Sequence, residues 1–159
     1  MSTQIEFKDI ASKIGSGVSI VTFKNNGVAY GLTISSFTCV SVHPATFLIC
    51  VDKKHATNKL LLESGCFALH VLNEEQKELS NLFAFGKPEE RFLSDKWVMG
   101  NNGSPVLTDC ICFVECTVQQ VFNVESHSVI IGSVTHSFLN DSFPKPLIYW
   151  NRDYRRIIE

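Results

Sequence analysis

Short runs of β-branched and aromatic residues, separated at close intervals by turn formers, set the narrowest limits on the fold of this chain. Residues 18–23 and 28–34 are such runs, and Asn25-Asn26-Gly27 between them reads as a hairpin turn. Residues 46–51 (Thr-Phe-Leu-Ile-Cys-Val) are apolar almost without interruption, which predicts a strand buried on both faces. A further strand is expected over 66–72, and two long ones over about 110–124 and 128–138, joined at a Glu125-Ser126-His127 turn. Helical signals are few. Phe7, Ile10, Ala11 and Ile14 recur at helical spacing before Gly15 and Gly17, and short helices are expected over 58–63 and 74–83, the latter with Asn73 as N-cap. Many strands with few short helices predict an antiparallel barrel, which has no free edge once closed. Residues 86–105, rich in Gly and Pro, form the longest irregular stretch, and a lid or a dimer contact is expected there.

The chain of 159 residues is read as one domain, long enough to bury a core of its own. Charged residues make up 19% and apolar ones 45%, which argues against disorder. A net charge of −2 gives no electrostatic footprint for nucleic acid or an acidic membrane. No apolar run approaches the roughly 18 residues that cross a bilayer, and the N-terminus lacks the basic-then-apolar pattern of a secretion leader. A cytoplasmic protein is expected. Of the six cysteines, most sit in strand-like apolar surroundings, where a thiol behaves as a small hydrophobe. Paired C-x-x-C knuckles and a nearby His pair are both lacking, so no metal is expected.

Between Gly31 and Pro44, Thr33, Ser35, Ser36, Thr38 and Ser41 place five hydroxyls within nine residues. Short hydroxyl side chains and free backbone N–H groups can hold an anion or a polar ring edge without bulky charge. The same residues could equally be a solvated loop, or a strand end satisfying its own backbone. No Ser-His-Asp set, paired carboxylates or Gly-x-Gly-x-x-Gly stands out.

Several segments occur in a telling order: Gly17-Val-Ser-Ile-Val-Thr22, the 31–44 segment, Cys66-Phe-Ala-Leu-His-Val-Leu72, Gln76-Lys-Glu-Leu79, Phe83-Ala84 and Arg91-Phe92. Glu125-Ser-His-Ser-Val-Ile-Ile-Gly132, Pro146-Leu-Ile-Tyr149 and Tyr154 complete the series. In this order they resemble the flavin reductase family, small NAD(P)H:flavin oxidoreductases. The chain departs from the family pattern at Ala45 (a second Pro), His70 (an Asn) and Glu125-Ser126 (Gly-Asp).

The resemblance implies a mainly β fold, an FMN-binding split β-barrel of antiparallel, Greek-key type with a few short helices. It implies FMN, or FAD, with NADH or NADPH as co-substrate, and a homodimer. The reduced flavin would go to a partner flavin-dependent monooxygenase or another acceptor. Thr33, Ser35, Ser36 and Phe37 would run along the flavin ring and ribityl chain, and Cys50, Val51 and Asp52 would complete the slot. Lys53 and Thr57 are the phosphate candidates: a lysine supplies counter-charge, and Thr57 lies near a helix start where N–H groups point outward. Arg91 would reach phosphate or nicotinamide. His127 is the candidate at the hydride-transfer site, where an imidazole can hydrogen-bond nicotinamide or reduced flavin. Hydride transfer needs orientation and exclusion of water rather than a nucleophile. Two other readings stay open. A pyridoxamine-phosphate-type FMN oxidase would need a basic phosphate cluster, which the scattered Lys and Arg do not clearly supply. A non-catalytic flavin carrier, store or redox sensor is kept open by the replaced Gly-Asp before His127.

Overall fold

The sheet grows from tight hairpins. In the computed structural model, which describes residues 6–143 and 145–158, β2 (Ser19–Asn25) turns into β3 (Val28–Ile34) through Asn26 and Gly27, both at positive φ (49° and 81°). That backbone matches the twist of the flanking strands, and Asn-Gly adopts it readily. The pair β4 (Phe37–Val42) and β5 (Ala45–Asp52) follows. After β6 (Cys66–Val71) and the short pair β7 (Trp97–Met99) and β8 (Pro105–Leu107), the longest hairpin joins β9 (Cys112–Val124) to β10 (His127–Leu139). The order β3-β2-β6-β9-β10-β5-β4 makes a seven-stranded antiparallel sheet. A small second sheet joins β1 (Ser16–Gly17), β11 (Ile148–Trp150) and β12 (Asp153–Arg155).

The mainly β, split-barrel expectation is met. The sheet does not close on itself: its two edge strands, β3 and β4, are consecutive in the chain and joined only by Ser35 and Ser36. The Cys50 N–H donates to the Ser36 carbonyl at 2.9 Å, which draws this connection onto β5. The result is a seam where the barrel stays split.

Two apolar clusters flank the sheet. Val21, Phe23, Ile49, Phe67, Leu69 and Ile130 fill the inner side, closed by Leu61 of α2 (Ala56–Ser64). Ile20, Ala68, Phe113 and Leu147 fill the other, with Phe83 of α3 (Lys77–Phe85) and with Val106 and Leu107. Each such side chain contributes about 1.5–3 kcal/mol relative to exposure. Phe83 lies directly on the β3 backbone because Gly31 leaves room; a Cβ there would come 2.5 Å from the ring.

Several expectations need correction. The strand buried on both faces is β2; in β5, Thr46, Ile49 and Val51 are buried while Phe47, Leu48 and Cys50 are only half-covered. The first helix, α1 (Phe7–Ala11), buries none of its residues. Helix α3 begins at Lys77 rather than 74, because the Asn73 side chain accepts from the Glu75 N–H (3.0 Å) and so makes a turn ahead of the helix. The 86–105 stretch is not irregular throughout. Its β7–β8 pair packs on the outer cluster, with a 3₁₀ turn (Pro88–Glu90) before it. His127 is not in the turn but opens β10, opposite Val124 and Asp52; the turn itself is Glu125-Ser126. Residues 1–5, on which much of the leader reading rests, lie outside the described residues. No helix among the described residues is long and apolar enough to cross a membrane.

Candidate functional site

The seam opens into a cleft of about 360 Å³. One wall is the end of β3, with Leu32, Thr33 and Ile34, continued by Ser35 and Ser36. The facing wall is the end of β5, with Cys50, Val51 and Asp52. His55 and His127 stand at its polar end, and Phe83, Ala84 and Phe85 of α3 border it from above. Hydrophobic pattern and hairpin register bring these pieces together: His127 is opposite Asp52, and Val51 opposite Ser128. Thr33, Ser35, Ser36, Cys50, Val51, Asp52 and His127 thus meet in one place, as the sequence reading required.

Their chemistry differs. The Ser35 and Ser36 hydroxyls are exposed and have no protein partner among the described residues. The Thr33 hydroxyl is engaged, donating to the Ser80 carbonyl of α3 at 2.7 Å, so it ties the wall to the helix. Burial pushes the Cys50 thiol up, which keeps it neutral. The Asp52 carboxyl is held below its ordinary range, first by the Lys54 N–H it accepts at 2.9 Å and then by the neighbouring His127 and His55. His127 is exposed, and its Nδ1 lies 2.8 Å from the Ser126 hydroxyl.

Four sequence candidates fall outside the cleft. Phe37 lines a neighbouring groove with Lys8, Ala11 and Ser12, and its ring lies under Gly17. Lys53 is exposed and its ammonium donates to the Glu125 carbonyl at 3.0 Å, steadying the β9–β10 turn. Thr57 is in the first turn of α2, behind an N-cap at His55, and shares a groove of about 530 Å³ with Arg91, Tyr30 and Leu60. The Arg91 guanidinium donates to the carbonyls of Gly31 (2.7 Å) and Gly86 (3.1 Å), so it clamps the 3₁₀ turn to β3. Burial lowers its pKa.

Sequence reasoning passed over His55 and Phe85. His55 carried no motif, and only the α2 start places it beside Asp52. Phe85 had a faint signal as one more aromatic beyond Phe83-Ala84 at a helix end. No group of His, Cys, Asp or Glu suited to a metal occurs among the described residues. The cleft can take a flat ring: half-buried Leu32 and Ala84 and exposed Phe85 provide apolar surface, and the two unpartnered hydroxyls of the connection provide edge contacts.

A family model described as "Flavin reductase like domain" matches residues 11–157. The chain belongs to this family. Similar proteins bear it out. The flavin reductase (NADH) of Kitasatospora aureofaciens is 34% identical over 153 residues, covering 94% of this chain and 80% of the relative. A Rhizobium meliloti (strain 1021) protein described as a probable flavin reductase is 36% identical over 130 residues, 80% of this chain but 41% of its own length. Among solved structures, BorF, the flavin reductase component of a bacterial two-component tryptophan halogenase, superposes with a TM-score of 0.87 at 26% identity. That match covers 96% of this chain and 97% of BorF.

Proposed function

We propose that this protein is an NAD(P)H-dependent flavin reductase whose flavin, FMN or FAD, is seated in the seam cleft between residues 33–36 and 50–52. One observation carries the reading: unpartnered hydroxyls, apolar walls and an imidazole converge where the barrel is split. When bound there, a flavin supplies a two-electron acceptor for the hydride of a reduced nicotinamide. The chain's residues bind and orient. Ser35 and Ser36 offer hydroxyls to ring edges or the ribityl chain, and the neutral Cys50 thiol adds no charge to the slot. Phe83 and Ala84 exclude water on the α3 side. His127 has Nδ1 engaged with Ser126, which leaves Nε2 for the nicotinamide or the ring edge. Thr57 and Lys53 are the phosphate-side groups, because α2 starts four residues after Asp52 and its leading N–H groups favour an anion.

The reading extends to a homodimer that hands reduced flavin to a partner oxygenase, in a reducing, cytoplasmic setting in keeping with six free thiols. Exposed Phe122, Val124 and Leu139 on the β9–β10 hairpin support self-association. BorF, a reductase component by its description, supports the partner. Titration with FMN, FAD and riboflavin, followed by NADH and NADPH oxidation, tests the proposal. Flavin fluorescence should change on binding, and dinucleotide oxidation should require added flavin. No binding of any flavin at roughly hundred-micromolar protein, where even weak cofactor contacts register, overturns it; binding without oxidation makes the protein a carrier.

A further inference from the structure

Among the described residues that line the seam cleft, Asp52 alone carries a permanent charge: no lysine, arginine or glutamate joins it there. Its setting fixes it in place. The chain turns after β5, and the Asp52 carboxylate accepts from the Lys54 N–H two residues on (2.9 Å), which holds the half-buried side chain at the strand end and favours its ionised form. Register puts His127 opposite it on β10, and the start of α2 brings His55 to the same end of the cleft. Of the two nearby lysines, Lys53 donates to the Glu125 carbonyl at 3.0 Å. Lys54 is exposed, and its ammonium contributes least of the groups that act on Asp52.

A fixed negative charge matters here because a flavin ring changes charge during the reaction. A hydride is a proton with two electrons. Its arrival turns a neutral oxidised ring into an anion until a proton follows from water, and the nicotinamide that gave it is left a cation. A carboxylate beside the ring repels the anion and leaves the neutral form nearly untouched. Charge thus separates two forms that have almost the same outline.

We infer that Asp52 is a specificity-determining residue: it makes the cleft hold oxidised flavin in preference to the anionic reduced form, so that the product is expelled rather than retained. The inference rests on the flavin cleft read above. By linkage, weaker holding of the reduced form also lowers the reduction potential of the bound ring. A half-exposed carboxylate acts through a dielectric close to that of water, which limits the effect to roughly five- to tenfold in affinity.

Anaerobic calorimetric titration with oxidised and with dithionite-reduced riboflavin, at mildly alkaline pH where the reduced ring is an anion, tests this. Riboflavin is the probe because it has no phosphate for the nearby lysines to attract. Asp52→Asn removes the charge and keeps an oxygen for the Lys54 N–H. It should tighten reduced riboflavin by roughly five- to tenfold and leave oxidised riboflavin within about twofold of the parent protein. The midpoint potential of the bound ring should rise by about 20–30 mV, since a tenfold change is about 30 mV for two electrons. Asp52→Ser, whose hydroxyl also suits the turn, should repeat this result if Asp52→Asn fails to fold. Asp52→Glu should behave as the parent protein, and Lys54→Gln, which bares the carboxylate, should weaken reduced riboflavin further. Equal changes for both redox forms in Asp52→Asn, or no change, would make Asp52 a turn residue and overturn the inference while the cleft reading stands. The same tightening in Asp52→Glu would tie the effect to shape rather than charge and overturn it as well. Failure of oxidised riboflavin to bind the parent protein overturns the cleft reading and this inference together.

Discussion

Two places in this molecule bring a histidine within electrostatic reach of a carboxylate, and they put the two groups to opposite ends. At the seam, Asp52 and His127 are opposite each other at the ends of β5 and β10, and His127 is exposed. Under the β7–β8 pair, Glu115 and His70 are fully buried. Glu115 accepts from the Asn102 N–H (2.8 Å) and from Asn101 Nδ2 (2.9 Å), so both its oxygens are engaged. His70 holds the Ile20 carbonyl with Nδ1 at 2.9 Å, while its Nε2 has no partner among the described residues and Trp97 stands edge-on to the ring. Residue type does not separate a site from a strut. What separates them is whether the polar atoms face solvent and are left with capacity for something that arrives.

Substitutions can break this contrast. The largest effect is expected at Glu115→Ala, which strands two donors and hollows the core. Stability should fall by about 3–5 kcal/mol, read by denaturant unfolding, while riboflavin affinity of the protein that remains folded stays the same. Unchanged stability would remove Glu115 from the structural side.

Acid should act through His70. Burial lowers its pKa to about 4 from the usual 6.5, so the folded state takes up its proton only at lower pH than the unfolded state does. The unfolded chain therefore binds more protons between these values. Stability is full above about pH 6.5 and is lost as pH falls toward 4, by on the order of 3 kcal/mol. His70→Gln should flatten this part of the stability–pH curve.

His127→Ala should leave the melting temperature where it is and slow NAD(P)H-driven flavin reduction, by up to about a hundredfold if ring placement slips by some 1 Å. Stopped-flow reduction matching that of the parent protein would move His127 out of the site. The smallest effect belongs to Thr57→Ala: about 1.5 kcal/mol off FMN binding, the lower range for a hydrogen bond to a charged group, and none off riboflavin. Equal losses for both flavins would make Thr57 a helix or ring contact.

How much of this could be read from the sequence depends on how local the signal was. Strands β2, β3, β6, β9 and β10 are legible because side-chain pattern and turn chemistry agree, most clearly at Asn26-Gly27. The hydroxyl run at Ser35-Ser36 is legible as polar atoms at a strand end. Trp97 and Val106 were hidden among Gly and Pro, because a three-residue pair is too short to show alternation and owes its place to the core beneath it. His55 and Phe85 were illegible as neighbours of the cleft, since α2 and α3 reach the seam only through packing such as Phe83 on Gly31. Asn73 looked like a helix cap and caps a turn instead; both roles use the same side-chain oxygen.

The split in the barrel also has a mechanical side. A closed barrel holds its first and last strands together with a ladder of hydrogen bonds, and here Ser35 and Ser36 stand where that ladder is missing. Whatever lodges in the seam touches the β3 side and the β5 side at once, so it acts as a clip across the one line where the sheet can gape. Its affinity is then added to the rigidity of the whole domain, by about 2.7 kcal/mol at a hundredfold excess over Kd. The empty and filled proteins should accordingly differ most in amide exchange along residues 32–37 and 49–52, and heat should open the molecule there first.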